Sequence, residues 1–259
     1  MKILKKYENF ILENTQNYFQ YNDVIDYTLL DNNASDDDII NLCEKAKEFG
    51  TKSVCVMPKH VSIAKEQLNN SKVLVCTVIS FPEGTNTQNE KENETHQVIS
   101  DGADEVDMVL NYELLKEYSE YYDTYEEFPS NLIDEVSSLV NICHSSTNKD
   151  GDEIILKVIV ESGLLTIDQT IMATEICLDA GADFIKTSTG MVSVGAELDK
   201  IKAMSETIKS SGSNMKIKAS GGVRTIEDIE SYAPFVDRYG MGFGSVDKLN
   251  GLDSNSNGY

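Results

Sequence analysis

The feature of this chain that most constrains its fold is a rhythm. Eight short runs rich in β-branched residues recur along it: VIDYTLL (24–30), SVCVM (53–57), VLVCTVI (73–79), DEVDMVL (104–110), IILKVIV (154–160), DFIKTS (183–188), MKIKAS (215–220) and VDRYGMG (236–242). Helix signals fall between them. Ser35 with Asp38, Thr166 with Gln169, and Thr225 with Asp228 have the spacing at which two side chains satisfy each other's backbone N–H groups at a helix start. The first pair opens a helix that closes at Gly50, the second one that closes at Gly181, the third the segment 226–235. Ile39, Cys43, Ala46 and Phe49 recur at helical spacing. Strands alternating with helices predict a parallel sheet, because parallel neighbours need a crossover long enough to hold a helix. Eight such units in 259 residues fit a closed (β/α)8 TIM barrel in a single domain. A doubly wound open sheet is the alternative, weakened because no GxGxxG follows the first run.

Three segments break the rhythm. Residues 1–22 carry Ile3, Tyr7, Phe10, Ile11 and Asn14 at roughly helical spacing and are expected to form a helical extension across one barrel end. Residues 119–131, SEYYDTYEEFPSN, form an acidic and aromatic insertion between the fourth run and its helix. Residues 250–259 read as a flexible tail. Ser145–Asp152 is a further polar stretch before the fifth run.

Charge and composition narrow the partners. The formal net charge of −22 opposes binding to a nucleic-acid backbone. It would repel an anionic metabolite at long range, so any phosphate site must be locally positive. No apolar stretch approaches the roughly 18–20 residues a membrane span needs. The N-terminal residues lack the sustained apolar run of a signal peptide. Five scattered cysteines (Cys43, Cys55, Cys76, Cys143, Cys177) with no CxxC pair predict free thiols in a cytoplasmic setting. With only His60, His96 and His144, a His-based zinc site is not expected.

Lysines inside apolar runs carry the chemistry. Lys157 sits in IILKVIV, Lys186 in DFIKTSTG and Lys218 in MKIKASGG. Burying an unpaired ammonium is costly. Neighbouring ammonium groups also disfavour each other's protonation, so one of the three is expected to be neutral near pH 7 and to attack a carbonyl as an amine nucleophile. Asp107, in EVDMV, should pair with Lys157 or another lysine and could move protons through a water. Asp26 reads as a supporting carboxylate. Thr28 and Cys55 fall near the carboxyl ends of their runs, the active face of a barrel. For anion binding, Thr189 and Gly190 close the turn after Lys186. Gly221, Gly222, Val223 and Arg224 lie between the seventh run and the next capping box, where glycine lets the backbone approach a ligand closely.

At these residues the chain resembles the deoxyribose-phosphate aldolase family. The most specific segments are SVCVMP (53–58), GADEVDMV (102–109), LKVIVESG (156–163), AGADFIKTSTG (180–190) and KASGGVRT (218–225), and the resemblance runs from about 24 to 242. It implies a class I aldolase on a TIM barrel, working without metal or cofactor. Its substrate would be a sugar phosphate, 2-deoxyribose 5-phosphate, cleaved to glyceraldehyde 3-phosphate and acetaldehyde in nucleoside breakdown. By resemblance Lys186 forms the Schiff base, Lys218 lowers the pKa of that amine, and Asp107 donates and accepts protons. Asp26, Thr28, Cys55 and Lys157 match other site positions. Some members end in a tyrosine that relays a proton, and this chain ends in Tyr259.

The chain also departs from the family. Where members usually carry a serine-rich turn after the eighth strand, it reads GMGFG (240–244), placing Gly242 and Phe243 where hydroxyls would face the phosphate. Met191 stands where some members have lysine. Two alternatives follow: an aldolase of the same mechanism with a different or non-phosphorylated substrate, or a weakly active barrel serving as a binding partner. Association into a homo-oligomer is compatible with either.

Overall fold

The computed structural model describes residues 20–122 and 130–252. Eight strands appear where the eight runs predict them: β1 Ile25–Leu29, β2 Ser53–Val56, β3 Leu74–Ile79, β4 Glu105–Val109, β5 Ile155–Ile159, β6 Phe184–Lys186, β7 Lys216–Ser220 and β8 Arg238–Gly242. All neighbours are parallel, and β8 returns to pair with β1, closing a barrel in sequential order. The open-sheet alternative is thereby excluded.

Nine helices accompany the strands among the described residues: α1 Asp36–Phe49, α2 Val61–Leu68, α3 Gln88–Ser100, α4 Tyr112–Tyr121, α5 Asn131–His144, α6 Ile167–Ala180, α7 Leu198–Ser211, α8 Ile226–Tyr232 and α9 Phe243–Leu249. The three expected capping boxes form at α1, α6 and α8, and a fourth forms at α3 from Thr87 and Glu90. α1 ends as expected at Gly50, whose φ of 72° is cheap only for glycine. α8 is shorter than its pattern suggests. It stops at Tyr232 because Pro234 offers no N–H to continue the ladder.

Alternation along the strands sorts the side chains into two environments. Outward residues such as Tyr27, Val54, Val75, Met108, Leu156, Ile185, Ala219 and Met241 join the large apolar core shared with the helices. The inward apolar residues Leu30, Cys55, Cys76 and Val78 form a separate small cluster. Other inward positions carry charge: Asp26, Glu105, Asp107, Lys157, Lys186, Lys218 and Arg238.

The departures from the rhythm are only partly described. Residues 1–19, 123–129 and 253–259 lie outside the described residues, and with them most of the expected N-terminal extension, the centre of the 119–131 insertion, and Tyr259. After β4 two helices, α4 and α5, precede β5, and the insertion falls at their junction. The 145–152 stretch is closed by an antiparallel bridge between Thr147 and Glu153. Lys149 anchors it, donating to the Val73 carbonyl at 2.7 Å. Among the described residues no helix is long and apolar enough to cross a membrane.

Candidate active site

The carboxyl ends of the strands open onto a small pocket. Its lining includes Thr28 and Leu30 at the end of β1, Lys186 with Thr189 and Gly190 at the end of β6, Ser220 to Val223 at the end of β7, and Gly240 and Gly242 of β8. Lys186 is the cationic side chain of this lining. It is 3% exposed, and its Nζ donates to Asp107 Oδ2 at 2.7 Å.

Beneath the pocket the barrel interior is an ion network. Lys218 Nζ donates to the same Asp107 oxygen at 2.7 Å and pairs on its other side with Asp26. Asp107 Oδ1 accepts from Lys157 at 2.8 Å. Lys157 also donates to Glu105 at 2.8 Å. Arg238 closes the circuit, bonding Asp26 Oδ1 at 2.6 Å and Glu105 Oε2 at 2.7 Å. Ser53 donates its hydroxyl hydrogen to Asp26 Oδ1. Asp26, Glu105, Asp107, Lys157 and Lys218 are fully buried. Three carboxylates thus meet four basic side chains, and each is paired, as burial of charge requires. Release of one proton from the cluster leaves its charges balanced.

The electrostatics correct one expectation. Adjacent ammonium groups were expected to weaken each other's hold on a proton. In the folded chain Lys157 does lower Lys218 in this way, but the carboxylates between them outweigh it. Burial alone would lower the Lys157 pKa, but Asp107 and Glu105 raise it well above the ordinary lysine range. Lys218 is likewise raised, burial being outweighed by Asp107 and Asp26. Both are therefore fixed cations. Asp107 is driven the opposite way: burial would raise it, and Lys157, Lys186 and Lys218 hold it well below the usual carboxylate range. Asp26 is held down by Arg238 and Lys218 against burial in the same manner.

The other sequence-predicted positions divide. Thr28 lines the pocket, and its hydroxyl donates to the Asp26 carbonyl at 2.9 Å. Cys55 is buried in the small interior cluster with Cys76. Gly221 and Gly222 sit side by side at φ 77° and 79°, a left-handed turn that glycine alone adopts freely. Such a turn can offer successive N–H groups to an anion. Val223 and Gly242 line the same pocket.

Arg224 does not join them. Its side chain is exposed, and its N–H donates to Asp228 at 2.9 Å, as does that of Thr225. The capping box of α8 has taken those amides. Thr189 lies in the lining, yet its N–H and hydroxyl both bond the buried Glu161, itself at φ 50°. Phe243 does not face the pocket. It lines a separate groove with Tyr27, Leu29 and Leu42 on the outer face of β1, because it is one residue past inward-facing Gly242. Met191 is 40% exposed.

Sequence reasoning passed over Arg238, Glu105, Cys76, Ser220 and Glu161. The first four were findable by alternation. Glu105 is two residues before Asp107, Ser220 two after Lys218, and Arg238 two before Gly240, so each shares its neighbour's inward face. Glu161 lies beyond the end of β5, and no periodicity marks it.

Comparison with known proteins agrees with this geometry. Residues 23–236 match the model of the family described as DeoC/LacD family aldolase. The deoxyribose-phosphate aldolase of Mycoplasmoides pirum is 41% identical over 210 residues, covering 81% of this chain and 87% of that protein. That of Staphylococcus carnosus is 40% identical over 237 residues, covering 91% and 98%. Among solved structures, the tetrameric deoxyribose phosphate aldolase of Aeropyrum pernix superposes with a TM-score of 0.74 at 26% identity, covering 92% of this chain and 95% of that one. The fold and site together define a parallel (β/α)8 barrel with a buried lysine in its carboxyl-end pocket. The chain belongs to the DeoC/LacD aldolase family.

Proposed function

We propose that this chain is a class I aldolase that cleaves 2-deoxy-D-ribose 5-phosphate to D-glyceraldehyde 3-phosphate and acetaldehyde, with Lys186 as the covalent residue. The observation that carries this reading is the position of Lys186. It is the lysine of the buried cluster that lines the pocket, with its Nζ on the Asp107 carboxylate.

The steps follow from that placement. The Lys186 amine adds to the C1 carbonyl of the open-chain sugar, and loss of water gives an iminium. The iminium withdraws the electron pair of the C2–C3 bond as the C3 hydroxyl loses its proton, releasing glyceraldehyde 3-phosphate. The enamine left on Lys186 is protonated at C2 and hydrolysed to acetaldehyde. Asp107, ionised and within reach of both Lys186 and Lys218, is suited to take and return these protons through a water. Lys157, Arg238 and Asp26 hold that carboxylate and Lys218 in place and keep the floor of the site charged. The Gly221–Gly222 turn is the best candidate for the phosphate cradle.

Incubation with 2-deoxyribose 5-phosphate and borohydride tests the reading. An adduct on the Lys186 peptide is expected. An adduct confined to Lys218 or Lys157, or none with any aldehyde, would overturn it.

One observation favours a second reading. Apart from Lys186, no cationic side chain lines the pocket among the described residues, and Arg224 points elsewhere. An aldolase of the same mechanism with a non-phosphorylated substrate fits that lining. Preference for free deoxyribose over its phosphate would favour it. On either reading the protein is a cytoplasmic enzyme, and association into a homo-oligomer, as in the tetrameric Aeropyrum pernix relative, is tested by light scattering of the purified chain.

A further inference from the structure

Cys55 and Cys76 are directly opposed on adjacent strands. They are register partners across β2 and β3, and both turn inward into the same four-residue cluster. Parallel neighbours stand about 4.8 Å apart, inside the 4.4–6.8 Å range of Cα separations that a disulfide spans. The Cys55 and Cys76 sulfurs lie within 4.8 Å of each other and of an Asp107 oxygen. Cys43, Cys143 and Cys177 are buried elsewhere in the strand–helix core, so the pair is a distinct feature of the barrel interior.

The neighbours of the pair argue against a metal. The thiols and Asp107 could supply three ligand atoms. Lys157 already donates to Cys76 Sγ at 3.3 Å, and Lys218 and Lys186 flank the site. A bound cation would be repelled by all three. A disulfide adds no charge and meets no such penalty.

We propose that Cys55 and Cys76 form an oxidisable dithiol beside the reactive centre, which a small peroxide converts to an intramolecular disulfide. The reaction proceeds in two balanced steps. The Cys55 thiolate attacks one peroxide oxygen, giving the sulfenic acid and hydroxide, which takes up the proton the thiol released. The Cys76 thiol then displaces water from the sulfenic sulfur and closes the S–S bond. Overall two thiols lose two electrons, hydrogen peroxide gains them, and two waters leave. The roles follow from the surroundings. The adjacent Cys76 thiol lowers the Cys55 pKa, against burial and with help from the Lys218 ammonium. Burial raises that of Cys76, which stays a thiol.

Oxidation has a local consequence. Cys76 Sγ is 3.2 Å from Asp107 Oδ1 and 3.3 Å from Lys157 Nζ. Drawing that sulfur onto Cys55 disturbs both contacts, one of them to the carboxylate that Lys186 shares. Loss of aldolase activity on oxidation rests on the proposed function; the bond itself does not.

The test exposes the full-length protein to hydrogen peroxide and maps peptides without reduction. The expected result is a linked pair holding Cys55 and Cys76, lighter by two hydrogens than the separate peptides, with loss of two of the five free thiols. Aldol cleavage should fall in step with the bond and return with dithiothreitol. Cys76→Val should form no such link, and its Cys55 should stop at the sulfenic acid, which dimedone traps, whereas wild type loses that adduct as the disulfide closes. The absence of the Cys55–Cys76 peptide in oxidised wild type would overturn the proposal, as would a dimedone adduct on Cys55 equally abundant in oxidised wild type and Cys76→Val. The peptide map requires neither a variant nor catalysis, so it stands even where deoxyribose 5-phosphate is not the substrate.

Discussion

Lys186 and Lys218 share a single oxygen. Both donate to Asp107 Oδ2, each at 2.7 Å, from adjacent strands in which they are register partners. One of these lysines faces the pocket, and the other is sealed beneath it with a second carboxylate, Asp26, on its far side. The same carboxylate therefore serves the reacting lysine and its permanent cationic neighbour.

Removing that carboxylate should be costly in two ways. Asp107→Asn keeps the shape but leaves three lysines with one fewer counter-charge. Breaking a buried ion pair from one side typically costs about 3–5 kcal/mol. Loss of a positioned acid–base group typically costs about 10²–10⁴ in rate. Denaturant unfolding and steady-state cleavage read the two effects. Asp107→Asn with Lys218→Met should recover part of the stability and none of the rate. Additive stability losses would contradict the shared-oxygen arrangement.

Lys218→Leu should abolish most cleavage at neutral pH and move the rate profile to higher pH. The variant removes a fixed positive charge from beside the reacting amine, and like charge disfavours a protonated neighbour. The kcat–pH profile measures it. A profile of unchanged midpoint and lower height would mean that Lys218 acts only through packing.

The anion side is tested by glycine. A Cβ at Gly221 would lie 3.0 Å from Ser188 Cβ at a φ of +77°. Gly221→Ala should cost roughly 1 kcal/mol or more of stability and raise KM for the phosphorylated sugar, with kcat nearly preserved, as expected when uniform binding is lost. Phe243→Ser should leave that KM unchanged, since Phe243 lines the outer groove. An altered KM in Phe243→Ser, or an unaltered one in Gly221→Ala, would move the phosphate away from the Gly221–Gly222 turn.

Stability should fall in alkali. Burial pushes the Cys43 and Cys143 thiols up to about 12 in the folded chain, against about 8.5 when unfolded. Their contribution is complete below the unfolded value and is lost as pH rises toward the folded one. The slope is up to about 1.4 kcal/mol per pH unit for each thiol. Lys157 and Lys218, also raised, add losses of the same sign above about 10.4. Tm measured from pH 8 to 11 should decline, less steeply in Cys43→Ala with Cys143→Ala. A flat Tm across that range would refute it.

What the sequence by itself determined is the barrel and its chemistry. Strand and helix periods are local, so the eight runs, the stop at Gly50 and the capping pairs could be read without a partner in view. Lysines inside apolar runs announced themselves because an unpaired charge there is costly. Asp107 and Lys157 could be matched because their strands are consecutive. What only the tertiary structure decided is which charges meet across the barrel. Arg238 lies 212 residues from Asp26 and 133 from Glu105 along the chain, and closure of β8 onto β1 brings them together. The carboxylates Asp107, Glu105 and Asp26, gathered inside the barrel, turned an expected cluster of competing ammonium groups into a network in which Lys157 and Lys218 keep their protons. Side-chain direction was the other undecided quantity. A shift of one residue reverses the face of a strand, and that single step separates Gly242 in the pocket from Phe243 outside it.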